Sequence, residues 1–354
     1  KRLFAGLLTL VMTLSLVSMP ALAVEDDTVV APCTKTDGCT LEAGHEGDCI
    51  TTPAEPEDGD SNGIIAALNS AEQINIEGLS GTGTASDPYI IDSADDLAKI
   101  PNNTTAYFKQ TAALDLSNVS IENAKSYISG TFSGVYDGDN KAITGAELPL
   151  FNYVQGAENT NAEVKNIKLT ASVGTADSAY QSNSLTIGTT TTASVSGAGL
   201  VTNYAHLATF ENCTISGTLY ASGNTGVGSL VGHSGTITVT GCSSSANITS
   251  TSYGVGGLIG FCQNANWSTA FGSIPGCQIS SSSYSGTMTL SDTSNNNPIY
   301  GGVIGVVSGA ETTSKAQVSN CTFAGTMDIN SINSNAAAGG IVGTSFPKDA
   351  AYNS

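Results

Sequence analysis

Beyond its first two residues the chain has no arginine, and lysine is sparse. Charged residues make up only 12% of the whole, yet acids outnumber bases enough to leave a net charge of −19. A chain so acidic suits neither nucleic acid nor an anionic membrane surface, because both demand clustered cations. From Val195 to Ser345 the charged residues are only Glu211, Asp292, Glu311, Lys315 and Asp328. That is a thin supply for a glycosidase, which needs a carboxylate pair at a set separation. Histidine is scarcer still, at three residues, and His206 and His233 read as surface or turn residues rather than as bases. No HExxH, nucleophile elbow or phosphate-binding loop occurs. After residue 23 no apolar run approaches membrane-spanning length, so no membrane span is expected in the mature chain.

What is present begins with a secretory signal over residues 1–23. Lys1 and Arg2 form the charged end, Leu3 to Met19 the apolar stretch, and Ala21-Leu22-Ala23 the small-x-small cleavage site. Its removal takes the net charge from −19 to −21, which keeps a protein soluble outside a cell. Residues 24–50 hold Cys33, Cys39, His45 and Cys49, and residues 51–80 are an acidic linker with room for a short helix near Ile64 to Glu72. Asp58-x-Asp60-x-Asn62-Gly63 matches the first half of an EF-hand loop, but Asn69 stands where the bidentate Glu is needed, so the linker reading is preferred.

Residues 81–354 are organised by two recurring units. One is a glycine-flanked apolar step: Ser229-Leu230-Val231-Gly232, Gly256-Gly257-Leu258-Ile259-Gly260, Gly302-Val303-Ile304-Gly305 and Gly340-Ile341-Val342-Gly343, with Gly199-Leu200-Val201 as a weaker copy. The other is centred on Asn166-Ile167, Asn212-Cys213, Gly241-Cys242, Gly276-Cys277 and Asn320-Cys321. The residue before each centre is Asn or Gly, the two types that most readily take positive φ, so a backbone corner is expected there. Three residues before each centre stands an apolar side chain: Val164, Phe210, Val239, Ile274 and Val318. After it, apolar and polar residues alternate, as in Ile167, Leu169, Ala171 and Val173. Strand–corner–strand units without intervening helices predict an all-β fold, a right-handed parallel β-helix. An antiparallel sandwich also has many short strands, but does not need the same corner in every unit. Ser93-Ala94-Asp95-Asp96 predicts a short helix to about Ile100, placed to cap the first repeat. Leu114, Leu116, Phe132, Val135, Ile143, Leu150, Phe151 and Val154 are expected to fill the first repeats, and Asp137-Gly138-Asp139-Asn140 to be a tight turn rather than a calcium site. No Asn-Cys strand and no cap follows Gly343, so the sequence reads as truncated within a repeat.

These glycine steps, paired with Asn-Cys strands, resemble the GLUG-motif repeats of adhesin-like bacterial surface proteins. Gly83-Thr84-Ala85-Ser86-Asp87-Pro88-Tyr89-Ile90-Ile91 and Phe132-Ser133-Gly134-Val135-Tyr136-Asp137-Gly138 resemble the segment that often precedes such repeats. The resemblance implies a secreted or cell-surface location and a non-catalytic stalk or adhesive module, not itself an enzyme, with a glycan or a host or bacterial surface protein as partner. A carbohydrate-active β-helix lyase or glycosidase is the alternative. A third reading makes the chain the flanking repeat region of a peptidase or another enzyme, with the catalytic domain beyond Ser354.

Cysteine usage gives two further expectations. Cys213, Cys242, Cys277 and Cys321 share a repeat position and predict a buried ladder of thiols, with Cys262 outside that register. Cys33-x5-Cys39-x5-His45-x3-Cys49 supplies three thiolates and an imidazole, a closed tetrahedral set for structural zinc. A disulfide with one free thiol, or a segment left unfolded, fits the same residues, because secreted cysteines oxidise and the first spacing is wide. Trp267 sits in an insertion, Gln263 to Ser273, that packs as a loop or meets a ligand.

Overall fold

The computed structural model describes residues 76–121, 124–157, 160–187, 193–263, 276–291, 297–310, 316–330 and 335–347. The proposed zinc ligands Cys33, Cys39, His45 and Cys49, the acidic linker up to residue 75 and Trp267 lie outside them. About half of the described residues are strand and a single turn is helix; the strands form parallel sheets in which each repeat adds one strand. Antiparallel pairing among them is confined to Leu185–Ile187 against Ala193–Val195 and the bridge Ala157–Thr160, which rules out the antiparallel sandwich.

A leading sheet of eight strands carries the residues before each corner, from Tyr89–Ile91 through Tyr107–Gln110, Val135–Asp137, Ala162–Lys165, Ala208–Glu211, Ile237–Thr240 and Gln278–Ser280 to Gln317–Ser319. Its inward column runs Phe108, Tyr136, Val164, Phe210, Val239, Ile279, Val318 in strict register. A trailing sheet carries the residues after the corner, among them Lys168–Val173, Thr214–Ala221 and Asn247–Ser250, with alternate side chains buried. Between the two, Asn140, Asn166, Asn212, Gly241, Ser281 and Asn320 all have φ between 50 and 66°. The corner is therefore left-handed, as the choice of Asn and Gly predicts.

The fourth corner is displaced from its expected place. Ser283 pairs with Ser243 and Thr322 with Ser283, so the residue equivalent to Cys242 and Cys321 is Ser282, not Cys277. Ile279, not Ile274, then holds the apolar position three residues earlier. Cys277 instead forms a disulfide with Cys262, which breaks the expected thiol ladder. Cys213 and Cys242 remain as buried free thiols in adjacent repeats, and Cys321 is only half-buried.

The remaining two sheets explain the glycine steps. A glycine sheet (Gly197–Gly199, Gly226–Gly228, Gly254–Gly256, Ile299–Gly301, Ala337–Gly339) passes directly into a return sheet that includes Thr202–His206, Val231–Ser234, Ile259–Gln263 and Ile304–Ala310. The two lie backbone against backbone. A Cβ on Gly260 would overlap the Val227 amide nitrogen, and one on Gly305 would stand 2.5 Å from the Gly260 carbonyl oxygen and 2.7 Å from the Val255 carbonyl carbon. Neither residue has positive φ, so close approach rather than turn geometry selects glycine here. Leu230, Leu258 and Val303 between the glycines are fully buried.

At the start of the chain the core is aromatic. Tyr89, Phe108, Phe132 and Phe151 follow one another at ring separations of 5.6, 5.9 and 5.1 Å, and Tyr136 meets Phe151 edge-on at 5.7 Å. Tyr136, not Val135, points inward, so Val135 lies on the outer face, half-exposed. The helix spans Ala94–Leu97, one turn, with Leu97 and Ile100 in the same core. Asp96 closes its start: its Oδ2 accepts from the Ser93 amide at 3.0 Å and from the Ser93 hydroxyl at 2.8 Å.

Candidate functional site

The outer face of the leading sheet carries charged side chains in register on successive strands. One outward column reads Lys109, Asp137, Lys165, Glu211 on four successive strands, then continues as Thr240, Ser280 and Ser319. Beside it runs Tyr107, Val135, Glu163, Thr209. Lys165 binds Glu163 at 2.9 Å, two residues away on the same strand. Partial burial works against the Lys165 ammonium, but Glu163, with Asp137 and Glu211 on the adjoining strands, holds its pKa above the ordinary lysine value. The Asp137 carboxylate accepts from Asn166 Nδ2 and from the Asp139 amide, both at 2.9 Å, which locks the tight turn at Asp139 and Asn140. Among the described residues Tyr107 is one of two exposed large hydrophobic residues, at 38% exposure. Charges alternate along this face, so it forms no acidic groove of the kind polysaccharide cleavage needs.

A second polar group lies buried where the antiparallel pair Leu185–Ile187 and Ala193–Val195 meets the return sheet. Asn203 Nδ2 donates to the Tyr180 hydroxyl at 2.8 Å, which donates to the Lys125 carbonyl at 2.8 Å. The Lys125 ammonium lies 5.6 Å over the Tyr180 ring and donates to the Gln181 carbonyl at 2.8 Å. Ser182 shares a hydrogen bond of 2.9 Å with the Tyr204 hydroxyl, and Tyr204 donates to the Asn183 carbonyl. Burial pushes the phenols of Tyr180 and Tyr204 up, so both stay protonated and neither serves as a base for Ser182. The network holds residues 180–187 and 193–197 against the sheet and carries no activated nucleophile.

His206 and His233 are buried, not on the surface or on turns as the sequence suggested. His206 is fully buried, and His233 lies flat on Phe261 with ring centroids 4.6 Å apart. Burial lowers the His233 pKa to about 3, against the opposing pull of a hydrogen bond that the imidazole donates to Gln263. Such a neutral, stacked imidazole is packing. The Cys213 thiol donates to the Glu211 carbonyl at 3.5 Å and the Cys242 thiol to the Thr240 carbonyl at 3.6 Å. The neighbouring thiol and burial raise Cys213 well above the usual thiol range, which leaves it protonated.

Residues 89–197 match the family model described as the M26 IgA1-specific metallo-endopeptidase N-terminal region. Among solved structures, the chain is similar to a Bacteroides ovatus protein described as a candidate immunoglobulin A1 protease. The sequence identity is 17% and the TM-score 0.51, over 76% of each chain. At that identity the likeness is one of fold. No curated protein matches the chain. The family match corrects two expectations. A purely non-catalytic stalk or adhesive module, and a chain that is not itself an enzyme, both give way, because residues 89–197 resemble the N-terminal region of a metallo-endopeptidase family. The physical reason the sequence misled is that the glycine steps report only backbone packing. The family implies a metal, typically zinc. The described residues do not fit one: no three His, Cys, Asp or Glu side chains converge, and His206 and His233 are spent in the core. No helix among the described residues is long and apolar enough to cross a membrane.

Proposed function

We propose that this chain is the substrate-engaging N-terminal part of a secreted or surface-attached endopeptidase of the immunoglobulin A1 protease type. The observation that carries the reading is the family match over residues 89–197, which encloses the charged outer face almost whole. The matched family describes an N-terminal region, and the described residues supply no catalytic centre, so peptide-bond chemistry belongs to another part of such a protease. The host partner is then a protein substrate rather than a glycan. We read the four sheets as a right-handed parallel β-helix with GLUG-like glycine steps, its first repeat covered by the helix Ala94–Leu97. The domain divisions at residues 23, 50 and 80 accompany that reading, and the Cys33/Cys39/His45/Cys49 segment is proposed as a separate structural zinc site or disulfide staple.

The test uses the secreted protein that carries this sequence. Incubated with immunoglobulin A1, it is expected to release a discrete heavy-chain fragment, with cleavage lost on chelation and restored by zinc. In parallel, the 354-residue chain immobilised on a biosensor is expected to bind immunoglobulin A1 and not immunoglobulin G. Absence of both cleavage and binding overturns the proposal.

A further inference from the structure

The charged column of the leading sheet is complementary to itself when reversed. Its order along successive strands is Lys109, Asp137, Lys165, Glu211. Read backwards it is Glu211, Lys165, Asp137, Lys109, and every position then meets the opposite sign. Reversing the stacking direction while keeping the strand direction is the operation of a two-fold axis lying between the faces, parallel to the strands. Successive strands stand about 4.8 Å apart in both copies, so the match holds along the whole column.

We propose that this face pairs with the same face of a second copy, forming a two-fold dimer. Lys109 meets Glu211 of the second copy, and Asp137 meets Lys165 of the second copy, so symmetry makes four ion pairs. In the flanking column Tyr107 lies over Thr209 of the second copy and Val135 over the stem of Glu163. Glu163 keeps its own Lys165 at 2.9 Å. At the ends, Ile90, which is in register with Lys109, lies over Thr240 of the second copy. Three observations favour a second copy over an unrelated partner. The match needs no sequence from elsewhere. Lys109 and Glu211 form no ion pair within their own chain among the described residues. The half-exposed apolar residues Tyr107 and Val135 sit beside the column, where association would desolvate them.

Six strands, Tyr89–Ile91 to Ile237–Thr240, oppose one another in this arrangement, which is a short contact. It falls at the low end of interface sizes, so the dimer is expected to be transient and salt-sensitive.

Sedimentation equilibrium on the full chain tests the proposal. The expected result is a monomer–dimer equilibrium that weakens as salt rises. Lys109→Glu and Glu211→Lys are each expected to weaken it about tenfold. The double variant is expected to return to within about threefold of the parent, because the reversed charges face each other again. Within one chain the two residues stand three strands apart, roughly 14 Å, too far for direct pairing. Rescue therefore reports contact between copies. Thermal melts confirm that each variant is folded; if a reversal fails to fold, Lys109→Gln and Glu211→Gln replace it, with weakening expected from each. A chain that stays monomeric at low salt, a dimer indifferent to both single changes, or a double variant weaker than either single one overturns the proposal. Binding to immunoglobulin A1 is scored separately, so a failure here leaves that reading standing or falling on its own assay.

Discussion

The repeats before residue 193 and those after it share the leading, trailing and return sheets but hold together by different means. The earlier ones stack aromatic rings, Tyr89 on Phe108, Phe108 on Phe132 and Phe132 on Phe151, and lay charged side chains along the outer face. The later ones press glycine backbones together and present threonine, serine and asparagine to solvent. Ring stacking depends on the identity of each neighbour, whereas backbone contact depends only on the absence of a side chain. The family match covers the first kind and stops at Gly197, where the glycine sheet begins. The part matched by the family model is thus the part whose packing depends on which side chains meet.

The largest expected effect tests the aromatic side. Phe132→Ala removes a fully buried ring that touches two others and should cost about 3–5 kcal/mol. In hydrogen exchange the loss should appear in residues 89–173 and leave residues 226–310 nearly unchanged, because stacked repeats couple mainly to neighbours. Uniform loss of protection would erase the distinction. Gly260→Ala is the counterpart in the later repeats. Its methyl must displace the Val227 backbone, at about 3 kcal/mol, and urea melts should show it. The same change at Gly340 meets nothing within 4 Å and should be silent, so equal effects would refute close approach as the reason for glycine.

Acidification separates the two regions next. The His233 pKa falls from 6.5 unfolded to about 3 folded, so the unfolded chain binds the extra proton between those values. Stability is therefore full above pH 6.5 and declines below it by about 1.4 kcal/mol per unit, or about 2 kcal/mol by pH 5. Asp96 behaves differently. Burial raises its pKa, but hydrogen bonds from Lys99, Ser93 and Asp92 outweigh that and leave it below 3.8. Its contribution survives until the pH falls under that value. The later repeats should loosen first on mild acidification, and His233→Gln should flatten their response; an unchanged profile in that variant would assign the effect elsewhere. The smallest change concerns the corner both regions share. Asn320→Val should cost about 1–2 kcal/mol, because a β-branched residue resists the φ of 53°. A melting midpoint equal to the parent's would deny the corner its strain.

The corner was the most legible feature, because only a few residue types tolerate its backbone. Asn166, Asn212, Gly241 and Asn320 announce themselves. Ser281 adopts the same φ without the usual signature, and Gly276-Cys277 nearby imitated it. The alternation around Ser282, with Ile279 before it and Tyr284 and Met288 after it, held the correct register. Tyr136 and Val135 were ambiguous for a related reason: both are apolar and adjacent, and only strand pairing decides which faces in. The charged column was invisible in sequence, since its members lie 28, 28 and 46 residues apart and meet only through register. Function was least legible of all. Glycine steps specify how close two backbones come and are silent about what the protein does.

That closeness has an evolutionary side. A contact made of backbone alone carries no message from one repeat to the next, so any glycine-step repeat can sit against any other. Duplication or loss of a whole unit by recombination leaves the junction as good as before, and the array becomes a ruler whose length selection sets freely. The charged strands at the start allow no such editing, since inserting one there would bring like charges together.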